Sequence, residues 1–257
     1  MNKLEEIVLH KRSEISTHRK ERPLSFLKLR ASYNRKPRSL IEQFRSGSNG
    51  FGIIAEFKRK SPSAGIISDN VDPVEITARY ISSGAVAISV LTDEKYFGGS
   101  LSDLESVSNT ATIPVLRKDF IVDEYQIYEA KAYGADAVLL IADVLTKNEL
   151  NNLYKRAADI GLECLVEVYD RRSIEKIDFD TMKLIGINNR DLRTFTVDLN
   201  HTKEIIQQLP DDVLVISESG LQNADDIRRV KSFGVNGALI GESLMKNGAR
   251  MLNEFNT

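Results

Sequence analysis

The chain has one cysteine, Cys164, in 257 residues. That excludes an internal disulfide framework and points to a reducing compartment. No apolar run approaches the roughly 18 residues that a membrane-spanning helix needs. Residues 1–20 are charged throughout and lack the apolar segment of a secretory signal, so a cytoplasmic location is expected. Neither sign of charge dominates: the formal net charge of −2 argues against nucleic acid as the main partner. Histidines are few. His10, His18 and His201 are dispersed along the chain, give no metal-ligand spacing, and are expected to be solvated. No low-complexity stretch or linker divides the sequence. What remains is ordinary for a globular protein, 42% hydrophobic and 28% charged, and enough for a sizeable core.

Two kinds of periodicity follow one another. Leu4, Ile7, Val8 and Ile15 recur at helical spacing among Lys, Arg and Glu, so residues 1–20 are predicted to form an amphipathic helix. Its polar face reads as a solvated charge run with no ligand. Pro23 interrupts it, and residues 39–45 predict a second short helix, ended by Gly47 and Ser48-Asn49-Gly50. Residues 1–50 thus form a helical N-terminal extension expected to cover one end of the main domain. From Phe51 onward, β-rich runs begin near Ile53, Ala85, Pro114, Ala135, Glu163, Leu184, Val213 and Gly237. Helical patterns such as 73–83, 124–133, 146–160 and 224–233 lie between them. Gly84, Gly134 and Gly234 each stand where a helix ends and a strand begins. Eight strands spaced roughly 25 residues apart predict a single α/β domain over residues 1–257, a (β/α)8 TIM barrel rather than a two-domain open sheet.

Polar residues gather where these strands give out. Ile53-Ile54-Ala55-Glu56-Phe57-Lys58 puts Glu56 and Lys58 on one face before a basic, turn-rich loop. Lys118 and Phe120 share a face after the third strand, Glu167 ends the fifth, Asn188-Asn189-Arg190 the sixth, and Ser217-Glu218-Ser219-Gly220 the seventh. Polarity rises at any strand end, so no single position is informative. Their convergence on the carboxyl rim of a barrel, where barrel enzymes keep their chemistry, is. Ser219-Gly220 and Ile240-Gly241-Glu242-Ser243 resemble a phosphate site, with glycines for close approach and helix-terminal amides as donors. Glu242 is expected to face solvent and complement the helix dipole. Loop 60–68, with Pro62 and Gly65, reads as a lid. Cys164 reads as a small buried hydrophobe.

Six stretches then resemble one family. They are Ile54-Ala55-Glu56-Phe57-Lys58-Arg59-Lys60-Ser61-Pro62-Ser63, Tyr96-Phe97-Gly98-Gly99-Ser100, Leu116-Arg117-Lys118-Asp119-Phe120-Ile121, Gly186-Ile187-Asn188-Asn189-Arg190-Asp191-Leu192, Ser217-Glu218-Ser219-Gly220 and Ile240-Gly241-Glu242-Ser243-Leu244-Met245. In order, they resemble the indole-3-glycerol phosphate synthases of tryptophan biosynthesis.

The resemblance implies a lyase that converts 1-(2-carboxyphenylamino)-1-deoxyribulose 5-phosphate to indole-3-glycerol phosphate, carbon dioxide and water, without metal or cofactor. It implies Lys118 as general acid, its pKa lowered by burial and neighbouring cations. Lys58 would pair with the substrate carboxylate or act as acid in the later loss of hydroxyl. Glu167 would be the base in dehydration, and Glu56 would orient the lysines. Asn188 and Arg190 would hold the anthranilate part, and Phe120 would pack on its ring. Ser61, Gly220, Gly241 and Ser243 would surround the phosphate, with Glu218 and Ser219 beside the reacting hydroxyls and Leu239 and Glu242 also lining the substrate site. The partner is a small phosphorylated molecule, the chain a monomer with at most weak association with other tryptophan-pathway enzymes. Two alternatives remain at this point: an aldolase-type lyase with a Schiff base on Lys118, and a non-catalytic phosphosugar-binding protein.

Overall fold

The computed structural model describes residues 3–46, 50–68 and 70–255. Eight short, almost wholly buried strands close on one another in parallel: β1 (Gly52–Phe57), β2 (Ala87–Leu91), β3 (Val115–Lys118), β4 (Ala137–Ile141), β5 (Glu163–Val168), β6 (Leu184–Asn188), β7 (Leu214–Glu218) and β8 (Gly237–Ile240). Each pairs with its neighbours in sequence, and β1 pairs with both β2 and β8, so no edge remains. Helices fill the crossovers, as the expected (β/α)8 barrel requires. The strands anticipated near Ala85 and Ala135 start two residues later. After each helix the glycine turns left-handed (Gly84 φ 93°, Gly134 φ 83°), and the next amide bonds back into the helix, Ala85 N to Tyr80 O and Ala135 N to Ala130 O. Those residues finish the helix cap before the chain can enter the sheet.

Alternation along the strands sorts the core into two. Ile53, Ala55, Ile88, Val115, Val166 and Ile185 pack outward against the helices. Ile54, Leu116, Leu139, Leu165, Ile216 and Leu239 fill the barrel itself. Phe44 plugs its amino end so tightly that a Cβ at Gly52 or Gly237 would approach the ring to 2.9 or 2.5 Å.

Phe44 belongs to the extension, whose helices are Lys3–Glu21, Leu24–Leu29 and Leu40–Ser46. Pro23 separates the first two as anticipated; the proposed stop at residues 47–49 lies outside the described residues. Instead of covering one end, the extension reaches both. At the amino end, the Glu163 carboxylate opening β5 accepts bonds from Ser39 Oγ and the Leu40 and Ile41 amides, and so caps the Leu40–Ser46 helix. Asp136 beside it takes Arg35 and Arg38. At the carboxyl end, the Lys3–Glu21 helix packs against the loops that follow β2 and β3. Its polar face is the solvated run expected except at one residue: Lys11 is 1% exposed, among carboxylates of those loops. Charge explains the embrace. The first fifty residues hold twelve of the 35 Lys and Arg but five of the 37 Asp and Glu, leaving the barrel acidic. Among the described residues, no helix is long and apolar enough to cross a membrane.

Candidate active site

The inward-facing residues just beyond the apolar layer open into a cavity of about 350 Å³ at the carboxyl end of the barrel. The pleat dictates which side chains reach it. Two residues past Ile54 comes Glu56, past Leu116 Lys118, past Leu165 Glu167, past Gly186 Asn188, and past Ile216 Glu218. Glycines make room: a Cβ at Gly186 would lie 2.1 Å from Glu218 Oε1, and one at Gly241 would lie 2.5 Å from Glu56 Oε1. Every residue given a catalytic or substrate-binding role from the sequence, from Glu56 to Ser243, lines this cavity.

Lys118 sits at the centre. Its Nζ lies 3.3 Å from Glu167 Oε2 and 3.2 Å from Glu218 Oε2. Asn188 Nδ2 donates to Glu167 Oε1 at 3.0 Å, fixing that carboxylate with one oxygen toward the lysine. Across the cavity Lys58 Nζ pairs with Glu56 Oε1 at 2.9 Å. The lowered lysine pKa expected from the sequence is corrected here. Burial does press on the Lys118 ammonium, but Glu218, Glu167 and Glu56 outweigh it and hold the group above the usual lysine range. Its neighbours are anions. The cost falls on Glu218, where burial, with Glu167 and Glu56 adding to it, pushes the carboxyl up to about 8 against the pull of Lys118.

The end of the cavity expected from the sequence to take phosphate is built from backbone. Ser219 (φ 69°) and Gly220 (φ 81°) are both left-handed, and the Ser219 carbonyl is held by Asn189 Nδ2 at 3.1 Å. For a serine this conformation is strained, an observation that points to a turn shaped for a ligand. Ser243 Oγ donates to Leu221 O at 2.9 Å, pinning the helix Glu242–Asn247 against that turn. Ser61 accepts from the Ala64 amide. Glu242 does not simply face solvent. It lines the cavity and pairs with Lys246 at 2.6 Å, whose hydrogen bond holds its carboxyl below the ordinary range.

Apolar walls complete the cavity. Phe97 and Phe120 stand 6.1 Å apart, centroid to centroid, with Leu139 and Ile141 from β4 beside them. Arg190 donates its amide to Asn188 Oδ1 and Nη1 to the carbonyl of Phe195, a left-handed residue (φ 61°) that also lines the cavity. Loop 60–68 forms a two-stranded hairpin tied to the loop after β2 by Arg59, which donates to Gly98 O and pairs with Asp103 in the helix Leu101–Thr110, and by Lys60, which donates to Lys95 O. Ile66 at its edge is 68% exposed.

Sequence reasoning gave no role to Phe97, Leu139, Ile141, Phe195 or Lys246. The β4 pair carries no signal, since apolar residues in a strand read the same whether they face core or cavity. The histidines lie apart, each with a partner: His10 near Glu14, His18 near Glu129, His201 stacked on Tyr169. Cys164 is buried, its thiol pushed up mainly by desolvation.

Comparison with known proteins agrees with this geometry. The family model described as indole-3-glycerol phosphate synthase matches residues 4–253. The indole-3-glycerol phosphate synthase of Salinibacter ruber is 44% identical over 248 residues, 96% of this chain and 91% of that one. Those of Bacteroides thetaiotaomicron (42% over 243 residues) and Geobacillus kaustophilus (44% over 246 residues) each align with 95% of this chain and 92% of their own.

Proposed function

The chain belongs to the indole-3-glycerol phosphate synthase family, and from that premise we propose how its own residues close an indole ring on 1-(2-carboxyphenylamino)-1-deoxyribulose 5-phosphate. The phosphate sits against the Ser219-Gly220 and Gly241–Ser243 turns with Ser61, and Leu239 and Glu242 border it. The aromatic ring lies on Phe120, its carboxylate toward Arg190 and Lys58. The carboxyl-bearing ring carbon attacks the ketone carbon, and charge develops on the ketone oxygen. Lys118 gives that oxygen a proton. A strongly held proton suits this task, because the alkoxide that receives it is more basic than the amine. The carbon–carboxylate bond then breaks, carbon dioxide leaves, and its electron pair restores the aromatic ring. In the last step Glu167, oriented by Asn188, removes a proton as hydroxyl departs as water, with Lys58 or Lys118 protonating it. Glu56 orients Lys58, and Glu218 and Ser219 flank the reacting hydroxyls.

The observation that carries this reading is Lys118 held between Glu167 and Glu218 at 3.3 and 3.2 Å on the cavity wall. It also weighs against a Schiff-base lyase, since imine formation needs a neutral amine and the surrounding carboxylates keep this one charged. On the same reading the protein works as one domain over 1–257 with residues 1–50 as its extension, as a cytoplasmic monomer that associates at most weakly with other tryptophan-pathway enzymes. The test is direct. The chain contains no tryptophan, so indole fluorescence appearing on incubation with the carboxyphenylamino ketose phosphate reports product alone. Substrate left unchanged, or borohydride trapping of a covalent adduct on Lys118, would sink the proposal.

A further inference from the structure

The extension carries a charged side chain that the chemistry above does not use and the fold does not obviously need. Lys11 is 1% exposed in the middle of the Lys3–Glu21 helix. Burying an ammonium so completely is costly unless several acceptors surround it. Three do: Glu14 Oε1 at 2.9 Å, Asp93 Oδ2 at 2.9 Å and Asp119 Oδ1 at 3.0 Å.

Each loop carboxylate also holds a piece of the site. Asp93 caps the short helix Glu94–Phe97 by accepting the Tyr96 amide at 2.7 Å, which sets the place of Phe97. Asp119 follows Lys118 directly and accepts the Phe120 amide at 2.8 Å, Thr92 Oγ1 at 2.6 Å and Arg117 Nη2 at 3.0 Å. Phe97 and Phe120 are the two facing rings of the cavity wall. One ammonium therefore bridges the loops after β2 and β3. Lys11 touches neither cavity nor substrate.

We propose that Lys11 is a positioning residue: by tying Asp93 to Asp119 it fixes the spacing of the Phe97–Phe120 wall and the backbone from which Lys118 reaches the substrate. This rests on the roles assigned above to Lys118 and Phe120. Displacements well under the size of a methyl group are enough to matter, because a reacting group misplaced by about 1 Å can lose a hundredfold in rate.

The test separates positioning from mere attachment of the helix. Lys11→Met removes the charge at similar length and leaves Asp93 facing Asp119, so its melting temperature falls. Lys11→Met/Asp93→Asn removes the surplus charge while keeping a side chain that can cap the Tyr96 amide. It is expected to recover most of the stability. It also keeps the test open if the single variant does not fold. Assayed well below their melting temperatures, both variants are expected to lose about ten- to a hundredfold in kcat/KM. The loss appears as a raised KM, from the ring wall, and a lowered kcat, from Lys118. Stability then follows charge balance, and activity follows the tie. A double variant whose kcat and KM both stay within about twofold of the unmodified protein overturns the inference and leaves Lys11 as an anchor. Absence of turnover in the unmodified protein would instead sink the functional reading itself.

Discussion

Strand β3 separates two clusters of basic and acidic side chains that behave in opposite ways. Behind it, with Asp119 alone of these residues also bordering the cavity, Arg117 reaches Asp119 at 3.0 Å and Glu129 at 2.9 Å, Lys11 joins Asp93 and Asp119, and His18 and Arg22 stand by Glu129. There the carboxylates are comfortable despite burial, which alone would raise them: Lys11 and Arg117 hold Asp119 well below the ordinary carboxyl range, and Arg117 with His18 lowers Glu129. In front, Lys118 and Lys58 face three carboxylates, Glu56, Glu167 and Glu218. Burial, with the surplus anionic charge of Glu167 and Glu56 adding to it, pushes the Glu218 carboxyl up to about 8. One cluster is matched to its partners. The other is left mismatched where the proposed mechanism moves a proton, and such mismatch is the mark of a working site rather than of a joint.

Deleting the central cation of each cluster separates the two roles most strongly. Lys118→Ala is expected to lower kcat about 10²- to 10⁴-fold, the usual worth of a general acid, while analogue affinity changes little. The released Glu167 and Glu218 can take up protons from the cavity, so stability changes much less than activity. Urea denaturation and single-turnover kinetics on the same sample check both halves. Retained turnover would remove Lys118 from the chemistry.

Arg117→Met is the mirror experiment. Arg117 is 2% exposed, and its loss leaves one oxygen of Glu129 and one of Asp119 without their cation in a dry joint. Breaking such a buried pair costs about 3–5 kcal/mol. A stability loss below about 1 kcal/mol in urea would show that the rear network is not the joint its geometry describes.

How much of this was legible in the sequence depends on the kind of signal. The front cluster was readable because polar residues at the ends of several apolar strands converge on one rim, a coincidence with few bland explanations although each position alone has one, and each was anticipated on the wall where it stands. The environment of Lys118 was not. Sequence shows that charges gather but not which sign lies nearest, and the expected cations turned out to be carboxylates. Lys11 was invisible for a different reason. On a helix rich in Lys, Arg and Glu, the one lysine that turns inward looks like its solvated neighbours until the loops after β2 and β3 are folded beneath it. Phe195 depends on a left-handed turn between Arg190 and Val197 that no local pattern announces.

The pH dependence of stability gives a smaller effect with opposite signs in the two clusters. Glu218 has its folded pKa raised from 4.5 to about 8. Its contribution is therefore fully present below the ordinary value and lost as pH rises through about 8. Asp143, pushed up to about 6 chiefly by burial, adds in the same direction. Asp119 is lowered, so its contribution is present above the ordinary 3.8 and lost as pH falls. Glu218→Gln is expected to flatten the decline in urea midpoint between about pH 5 and pH 8, and Asp119→Asn to flatten the acid limb. Equal slopes in wild type and Glu218→Gln would mean that the front cluster is matched after all.

The smallest effect concerns the rim. Glu242 puts a carboxylate on the cavity wall next to the turns assigned to phosphate, an arrangement that repels a dianion unless something neutralises it. Lys246 does so at 2.6 Å, and both side chains are substantially exposed. Solvent screens such a pair, and its net worth is a fraction of a kcal/mol. Glu242→Gln removes the repulsion and frees Lys246 toward the phosphate. It should lower KM, and the inhibition constant of inorganic phosphate, by about two- to fivefold with kcat unchanged. The gain should fade in high salt, because the interaction lies where counterions reach it. A rise in KM would mean that the Glu242–Lys246 pair acts as a unit, holding the Gly241–Ser243 turn in shape, so that Glu242 belongs with the matched charges behind β3.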